Sequence, residues 1–240
     1  MSSTTKLITT GDGSHSLFVQ EINESYHSVF GAITESKHVF IRNGPVLWSS
    51  GNLTVFEVGF GTGLNALLTA ITGIDRGIRI TYYSLEKYPL EQQMTDQLNY
   101  PSLLSPDGKQ THDLFRAIHQ VPWDQSAELN SCFKLHKIRG DLASFIPSFC
   151  YDVLYFDAFS PEKQPEMWTG DIMHRLILNL NPEGVFITYC AKGAVRRLLK
   201  ENGLLVEKLP GPPGKREILR GRKMTGDALL RCASAGKGDG

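Results

Sequence analysis

The chain has 240 residues, of which 41% are hydrophobic and 21% are charged, a composition typical of a soluble globular domain. Its formal net charge is zero, and no apolar run approaches the roughly 20 residues that a membrane-spanning helix needs. The polar stretch Met1–His15 has no signal-peptide core, and the four cysteines lack the spacing of a zinc site. These features predict a cytoplasmic α/β protein with no membrane segment, no metal and reduced cysteines.

The first 50 residues are predicted to be an N-terminal extension that packs on the main domain. About ten residues at the start are expected to be loose, and short alternating segments predict strands at Ser16–Gln20 and His38–Arg42. Tyr26 and Phe30 lie between these segments. They either bury against the domain or close a ligand site, and the sequence leaves both interpretations open.

The main domain is predicted to begin with a buried strand, a glycine turn and a helix. The strand is Leu53–Val58, the glycines are Gly59, Gly61 and Gly63, and the helix runs from Asn65 to about Thr72. Glycines let the backbone turn tightly and approach a ligand, while the first amides of the helix stay free to donate hydrogen bonds.

The spacing of this turn favours one class of ligand. Dinucleotide sites use G-x-G-x-x-G, whereas here the pattern is G-x-G-x-G, and Leu64 stands where the third glycine would fall. Glu57, just before the turn, would repel a pyrophosphate and attract an amine. The turn therefore favours S-adenosylmethionine, which has no phosphate and carries an ammonium and a sulfonium.

Acidic residues are predicted to follow the next two strands. Arg79–Leu85 ends in Glu86, whose carboxylate can accept hydrogen bonds from both hydroxyls of a ribose. A helical insertion, about residues 88–134, is expected next, with helices at Leu90–Leu98 and Asp113–His119. A third strand, Leu135–Ile138, precedes Gly140 and Asp141, and Asp141 is placed to accept from an adenine amino group.

Asp157 follows a fourth predicted strand, the near-continuous apolar run Tyr151–Phe156. Because ligands of open parallel sheets bind beyond the carboxyl ends of the strands, we expect Asp157 to face the ligand. The remaining predicted elements are a helix at Glu166–Leu180, a turn at Asn181–Gly184, strands at Val185–Cys190, Leu205–Leu209 and Glu217–Arg220, a helix at Gly193–Glu201, and a disordered tail over 224–240.

The late part of the chain is basic. Between Lys192 and Lys223 there are ten Lys or Arg residues against three Glu residues. Such a surface suits phosphate contacts, and a charge run can equally be a solvated face. The residues expected to contact a nucleic acid are Lys192, Arg196, Arg197, Lys215, Arg216, Arg220 and Arg222.

Several motifs together resemble the methyltransferase domain of the bifunctional tRNA-modifying MnmC family. They are Glu57–Asn65 (EVGFGTGLN), Ser84–Leu90 (SLEKYPL), Asp157–Pro161 (DAFSP) with Met167-Trp168, Gly214–Glu217 (GKRE), and, in the extension, Tyr26–Ser28 with Glu35-Ser36. The resemblance covers nearly all of residues 12–223. It implies a seven-stranded Rossmann-like class I methyltransferase sheet over residues 51–223 and S-adenosyl-L-methionine as cofactor. A monomer that binds the anticodon stem–loop of tRNA is the expected assembly.

The resemblance also implies a reaction, the methylation of 5-aminomethyl-2-thiouridine at the tRNA wobble position to the 5-methylaminomethyl form. The bifunctional relatives carry an additional FAD-dependent oxidase, for which this sequence has no room. It therefore resembles a stand-alone methyltransferase branch, and a carboxymethylaminomethyl substrate should not be processed.

Asp157 is the expected catalytic residue, orienting the attacking amine and accepting its proton, with Tyr26 and Phe159 shaping the pocket. Asp157 is also expected to contact the cofactor. The other residues expected to hold it are Glu57, Gly59, Phe60, Gly61, Gly63, Asn65, Glu86, Lys87, Gly140 and Asp141.

Alternative functions remain open at this point. One is aminopropyl transfer of the spermidine-synthase kind, which also uses an acidic loop after the fourth strand and an amine nucleophile. Others are methylation of a small-molecule amine and a non-catalytic RNA-binding module that keeps a degenerate glycine turn.

Overall fold

A small antiparallel sheet forms the start of the extension. The computed structural model of the chain describes residues 5–105 and 108–225. Strands β1 (Thr5–Thr9), β2 (His15–Val19) and β3 (Glu24–Ser25) pair in that order, and Leu17 at the centre of β2 is fully buried. The expectation of a loose start is wrong from residue 5 onward, because β1 pairs with β2 along its whole length. Residues 1–4 lie outside the described part.

The extension continues as a helix where a strand was predicted. Helix α1 (Ala32–Ser36) runs directly into a π-helical turn at Lys37–Ile41, and a 3₁₀ turn follows at Pro45–Leu47. The strand predicted at His38–Arg42 is therefore wrong. The physical reason is that residues 39–41 are buried in succession, which a half-exposed strand cannot achieve, whereas this helical turn is enclosed by the main sheet and the helix after the glycine turn.

Eight strands form the main sheet in the described part of the chain. They are β4 (Asn52–Val58), β5 (Arg79–Glu86), β6 (Gln125–Asn130), β7 (Phe133–Arg139), β8 (Tyr151–Phe156), β9 (Leu180–Thr188), β10 (Leu204–Pro210) and β11 (Glu217–Lys223). Their order is β10-β11-β9-β8-β4-β5-β7-β6, in which β4, β5, β7, β8 and β9 are parallel. The predicted seven-stranded Rossmann-like sheet is confirmed, and β6 adds an eighth strand, antiparallel to β7 at the edge.

Helices cover both faces of this sheet. They are α2 (Leu64–Arg76), α3 (Gln92–Thr95), α4 (Tyr100–Leu104), α5 (Lys109–Gln120), a 3₁₀ turn at Pro165–Trp168, α6 (Gly170–Asn179) and α7 (Gly193–Glu201). Helix α7 has the predicted bounds, and α2 is longer than predicted. The helix predicted at Leu90–Leu98 shrinks to the single turn of α3, and the turn predicted at Asn181–Gly184 is an irregular start of β9.

The sheet separates two hydrophobic clusters. Neighbouring residues of β4 point to opposite faces, so that Val55 joins the cluster under α2 and α5, and Phe56 joins the cluster under α6 and α7. Within the described residues, no helix combines the length and apolar character needed to cross a bilayer. Residues 226–240, most of the predicted disordered tail, lie outside the described part.

Candidate active site

The carboxyl ends of four parallel strands meet at the glycine turn. The amide of Gly59 donates to the carbonyl of Leu85 at 2.9 Å, and the amide of Asp157 donates to the carbonyl of Val58 at 3.0 Å. The amide of Gly140 donates to the carbonyl of Glu86, also at 3.0 Å. These bonds fix the loops after β4, β5, β7 and β8 relative to one another.

Glycine is required at the first position of the turn. Gly59 has φ +92°, and a Cβ there would lie 2.8 Å from the carbonyl oxygen of Asp157. Gly61 also has positive φ, and a Cβ on it would lie 2.9 Å from the ring of Tyr26. The turn therefore brings the backbone close both to the loop after β8 and to the N-terminal extension.

A cavity of about 420 Å³ opens beside the glycine turn. Residues from the turn, from the ends of β5, β7 and β8, and from the extension line it. The predicted site residues among them are Tyr26, Gly59, Phe60, Gly61, Asn65, Glu86, Lys87, Gly140, Asp141, Asp157, Phe159 and Lys215. The predicted site residues that do not line it are Glu57, Gly63, Lys192, Arg196, Arg197, Arg216, Arg220 and Arg222.

Two carboxylates mark one end of the cavity. Glu86 accepts hydrogen bonds from the amide of Gly61 at 3.1 Å and from the amide of Tyr88 at 2.9 Å, so it also holds the glycine turn. Asp141 forms an ion pair with Lys87 at 2.7 Å, and the hydrogen bond from Lys87 lowers the pKa of this carboxyl. Both groups can accept hydrogen bonds from hydroxyl or amino groups of a nucleoside.

Asp157 lies at the other end. Its Oδ2 accepts a hydrogen bond of 2.9 Å from Nδ2 of Asn65 in the first turn of α2. Burial, with a further contribution from the negative charge of Glu35, raises the pKa of Asp157 to about 7, although Asn65 and Lys215 oppose this. This carboxyl can therefore exchange a proton near neutral pH.

An ion pair between Glu35 and Lys215 lies beside Asp157 and was not foreseen as a pair. Nζ of Lys215 is 2.5 Å from Oε1 of Glu35 and 3.8 Å from the ring centroid of Tyr189. The other oxygen of Glu35 accepts from the amide of Ser28 at 2.7 Å. The pair joins two segments separated by 180 residues, so local sequence patterns gave no signal for it, and Lys215 was predicted only as an RNA contact.

Two aromatic rings form part of the same wall. Tyr26 and Phe159 make an edge-to-face contact with ring centroids 5.4 Å apart. Burial, and secondarily the charge of Glu86, raises the pKa of Tyr26, so its hydroxyl stays protonated. The extension thus supplies part of the cavity wall, and the two interpretations of Tyr26 as buried residue and as pocket residue are compatible.

Glu57 lies behind the wall, not on it. It is 1% exposed, its Oε2 accepts from the hydroxyl of Ser84 at 2.6 Å, and burial raises its pKa to about 8. Its Oε1 and Oδ1 of Asn65 are both buried without a hydrogen-bond partner among the described residues. Glu57 does not line the cavity, and its predicted role in holding the cofactor stays a prediction.

Most of the predicted nucleic-acid contacts are already paired with carboxylates. Salt bridges join Lys192 to Glu162, Lys215 to Glu35, Arg220 to Glu207 and Arg222 to Glu183. Within residues 5–105 and 108–225, no carboxylate lies at salt-bridge distance from Arg196, Arg197 or Arg216. Of the seven predicted contacts, those three arginines remain available to phosphates.

The composition of the cavity wall fits S-adenosyl-L-methionine. Six carboxylic acids line it against two lysines, Lys87 and Lys215. An acidic wall attracts an ammonium and a sulfonium and disfavours a pyrophosphate. A volume of about 420 Å³ lies in the range of small-molecule sites, and the absence of a side chain on Gly61 lets the ring of Tyr26 approach the turn.

Comparisons with known proteins agree with this geometry. A family model for S-adenosyl-L-methionine-dependent methyltransferases matches residues 110–224. The tRNA 5-methylaminomethyl-2-thiouridine biosynthesis bifunctional protein MnmC of Idiomarina loihiensis is 30% identical over 231 residues, 87% of this chain and 37% of that protein. The protein of the same name from Ectopseudomonas mendocina is 32% identical over 221 residues, 84% of this chain and 33% of that protein.

The fold has a close counterpart among solved structures. The crystal structure of MnmC2 from Aquifex aeolicus matches with a TM-score of 0.74 at 23% identity, over 95% of this chain and 75% of that chain. The chain spans about a third of the length of the two bifunctional relatives. These similarities support an S-adenosyl-L-methionine-dependent enzyme of the methyltransferase class that is similar to part of the MnmC proteins.

Proposed function

We propose that the chain methylates the primary amine of 5-aminomethyl-2-thiouridine at the wobble position of tRNA, giving the 5-methylaminomethyl form. Similarity to proteins named for the biosynthesis of that nucleoside, over more than four-fifths of the chain, supports the proposal. The observation that carries it is the carboxyl of Asp157, which has a pKa of about 7 and lines an acidic cavity beside the glycine turn.

Asp157 solves the main chemical difficulty of an amine nucleophile. An alkylammonium has no lone pair, and its pKa is about 10, close to that of lysine. An ordinary aspartate, with a pKa near 3.9, is a poor acceptor for that proton. A carboxylate whose pKa is about 7 reduces the gap to about 3 pH units, and the hydrogen bond from Asn65 fixes its orientation.

The reaction is a direct displacement. When bound, S-adenosyl-L-methionine supplies an electrophilic methyl group on a sulfonium. The proton of the substrate ammonium moves to Asp157. The freed nitrogen lone pair would then form the new bond to the methyl carbon as the carbon–sulfur bond breaks, with the electron pair of that bond left on sulfur. Tyr26 and Phe159 limit the access of water, and alignment of the reacting atoms supplies much of the acceleration.

Residues at the other end of the cavity would hold the donor. The carboxylates of Glu86 and Asp141 are suited to the ribose hydroxyls and the adenine amino group, and the glycine turn accommodates close backbone approach. Because Asp141 already pairs with Lys87, the two side chains would act as a unit.

The RNA would be held by fewer basic residues than the sequence suggests. Among the seven predicted RNA contacts, Arg196, Arg197 and Arg216 have no carboxylate partner among the described residues, and we assign the phosphate contacts to them. The proposal includes a monomeric protein acting on the anticodon stem–loop in the cytoplasm.

The pairing of the other basic residues favours one alternative, methylation of a small-molecule amine. Salt bridges such as Arg220–Glu207, at 3.2 Å, neutralise charge that a polyanionic substrate would otherwise use. The two candidate substrates can be told apart. Only with a tRNA substrate should the reaction rate depend on salt and on the three unpaired arginines.

The decisive experiment supplies labelled S-adenosyl-L-methionine and tRNA that carries 5-aminomethyl-2-thiouridine. We expect label in 5-methylaminomethyl-2-thiouridine after digestion to nucleosides, and much slower labelling at pH 8 when Asp157→Asn replaces the wild type. Tight binding of the donor without transfer to this tRNA, while small amines are methylated, would overturn the proposal in favour of the alternative.

A further inference from the structure

The mouth of the cavity carries exposed aromatic side chains. Among the large hydrophobic residues that are exposed in the described part of the chain, two are aromatic, Phe30 at 57% and Tyr88 at 69% exposure. Both line the cavity, as does Val29, which is 58% exposed. Exposed apolar residues elsewhere, such as Ile146 and Leu178, are aliphatic and lie away from it. Exposed rings are thus concentrated at the entrance to the site.

Phe30 is held in place although it is exposed. The ring lies against Gly214 in the turn between β10 and β11, since a Cβ at that glycine would be 2.2 Å from the ring. The backbone beside it is fixed by the bond from the amide of Gly11 to the carbonyl of Val29 at 2.8 Å, and by the bond from the amide of Ser28 to Glu35. A fixed ring that contacts a glycine and remains more than half exposed offers a surface on which a planar group of a ligand can stack.

The two exposed rings lie at different ends of the site. The amide of Tyr88 donates to Glu86, which places Tyr88 at the end suited to the donor nucleoside. Phe30 contacts Gly214, and the next residue, Lys215, belongs to the group beside Asp157. Phe30 therefore lies at the end where the substrate amine would enter.

Positive charge accompanies the ring. Arg216 is exposed, follows Lys215 in the same turn, and has no carboxylate at salt-bridge distance among the described residues. An aromatic face and an unpaired arginine two residues from the glycine that the ring contacts form a combination that binds single-stranded RNA, in which bases stack on the ring and the cation contacts phosphate. Two side chains and one arginine are too small an area for a stable protein–protein interface, which buries roughly 1,200–2,000 Å².

We propose that Phe30, supported by Val29, stacks on an unpaired nucleotide next to the target nucleotide of the RNA, while Arg216 contacts the adjoining phosphate. This inference rests on the proposed tRNA substrate. It means that the enzyme recognises its target in an opened loop, with a neighbouring base held at the mouth while the aminomethyl group reaches Asp157.

The test compares Phe30→Ala, Phe30→Leu and Phe30→Trp with the matched control Ile146→Ala, an exposed position away from the cavity. Binding of a labelled anticodon stem–loop carrying the aminomethyl group is measured by fluorescence anisotropy. Affinity for the free aminomethyl nucleoside and for S-adenosyl-L-methionine is measured by calorimetry. Because one stacked base contributes about 1–3 kcal/mol, Phe30→Ala should weaken RNA binding about 5- to 150-fold.

The outcomes separate stacking from simple closure of the pocket. Stacking predicts that Phe30→Trp keeps RNA affinity, that Phe30→Leu loses it although the side chain stays apolar, and that the loss for RNA exceeds any loss for the free nucleoside at least about fivefold. Equal losses for RNA and nucleoside, or full RNA affinity in Phe30→Ala, would overturn the inference. Wild-type protein that neither binds nor methylates the RNA would instead overturn the proposed function, which is a distinguishable result.

Discussion

Replacement of Asp157 by Asn gives a prediction whose magnitude follows from two pKa values. Asn has nearly the same shape and can still accept the 2.9 Å hydrogen bond from Asn65, so the fold and the donor site should be preserved. It cannot take a proton. The variant must therefore wait for substrate whose amine is already neutral, and with an amine pKa of about 10 that fraction is about 1% at pH 8.

The expected defect depends on pH in a specific way. Wild-type Asp157, with a pKa of about 7, is mostly ionised at pH 8, so its kcat/KM should rise through pH 7 and then level off. The rate of Asp157→Asn should instead rise about tenfold per pH unit below pH 10, so the ratio of wild-type to variant rate should fall about tenfold between pH 8 and pH 9, because the neutral amine fraction grows tenfold per pH unit. The assay is methyl transfer to tRNA with saturating donor, at several pH values.

Calorimetry with S-adenosyl-L-methionine provides the control, since the variant should bind the donor with an affinity close to that of the wild type. A rate ratio that is large but constant with pH would point to misplacement of the substrate, not to loss of a proton acceptor. An unaltered rate at pH 8 would remove Asp157 from the mechanism.

Three further predictions concern charge, backbone and stability. Lys215→Met removes a cation that lowers the pKa of Asp157, so the midpoint of the wild-type pH–rate rise should move to higher pH by about one unit. Gly59→Ala should lower the free energy of unfolding by about 2–4 kcal/mol and weaken donor binding, since the methyl would lie 2.8 Å from a carbonyl oxygen at φ +92°. Although burial acts to raise it, hydrogen bonds lower the pKa of Asp12 to about 2, and because solvent screens this partly exposed carboxyl, Asp12→Asn should lose about 1 kcal/mol of the free energy of unfolding at neutral pH.

Each of these has its own control. Gly51 has a similar φ of +89°, but no atom lies within 4 Å of a Cβ added there. Gly51→Ala should therefore lower the free energy of unfolding by only about 1 kcal/mol. Equal losses of stability in Gly51→Ala and Gly59→Ala would contradict the close contact at Gly59. The contribution of Asp12 is present above its ordinary pKa of 3.8 and disappears as pH falls through about 2. The stability difference between wild type and Asp12→Asn should therefore vanish in acid, as followed by urea unfolding. A pH–rate midpoint that moved down in Lys215→Met would contradict the assigned charge effect.

Local patterns were sufficient for the centre of the fold. The bounds predicted for β8 and α7 agree with the structure, because a continuous apolar run and an amphipathic run between glycines are each specified by neighbours in sequence. The position of Asp157 also follows from a general property of parallel sheets, in which ligands bind beyond the carboxyl ends of the strands.

Features set by distant contacts were not predictable in this way. Segment Lys37–Ile41 is apolar enough for either a strand or a helix, and its burial on several sides decided the outcome. Strand β6 is mostly polar and forms because β7 offers a free edge. Its sequence therefore has no apolar pattern from which a strand could be predicted.

The same limit applies to the site. Glu57 was expected to touch the ligand because it precedes the glycine turn, but the alternation of side chains along β4 directs it behind the wall, to Ser84. The pair of Glu35 and Lys215 joins the extension to the turn between β10 and β11, and only the folded chain brings these residues beside Asp157.

The central claim is that the methyl donor binds against the glycine turn with its reactive end at Asp157. A crystal structure of the protein with S-adenosyl-L-homocysteine tests it most directly. We predict ribose hydroxyls within hydrogen-bond distance of Glu86 and the sulfur directed toward Asp157 and the ring of Tyr26. Electron density for S-adenosyl-L-homocysteine in another cavity, or a sulfur atom directed away from Asp157, would contradict the account.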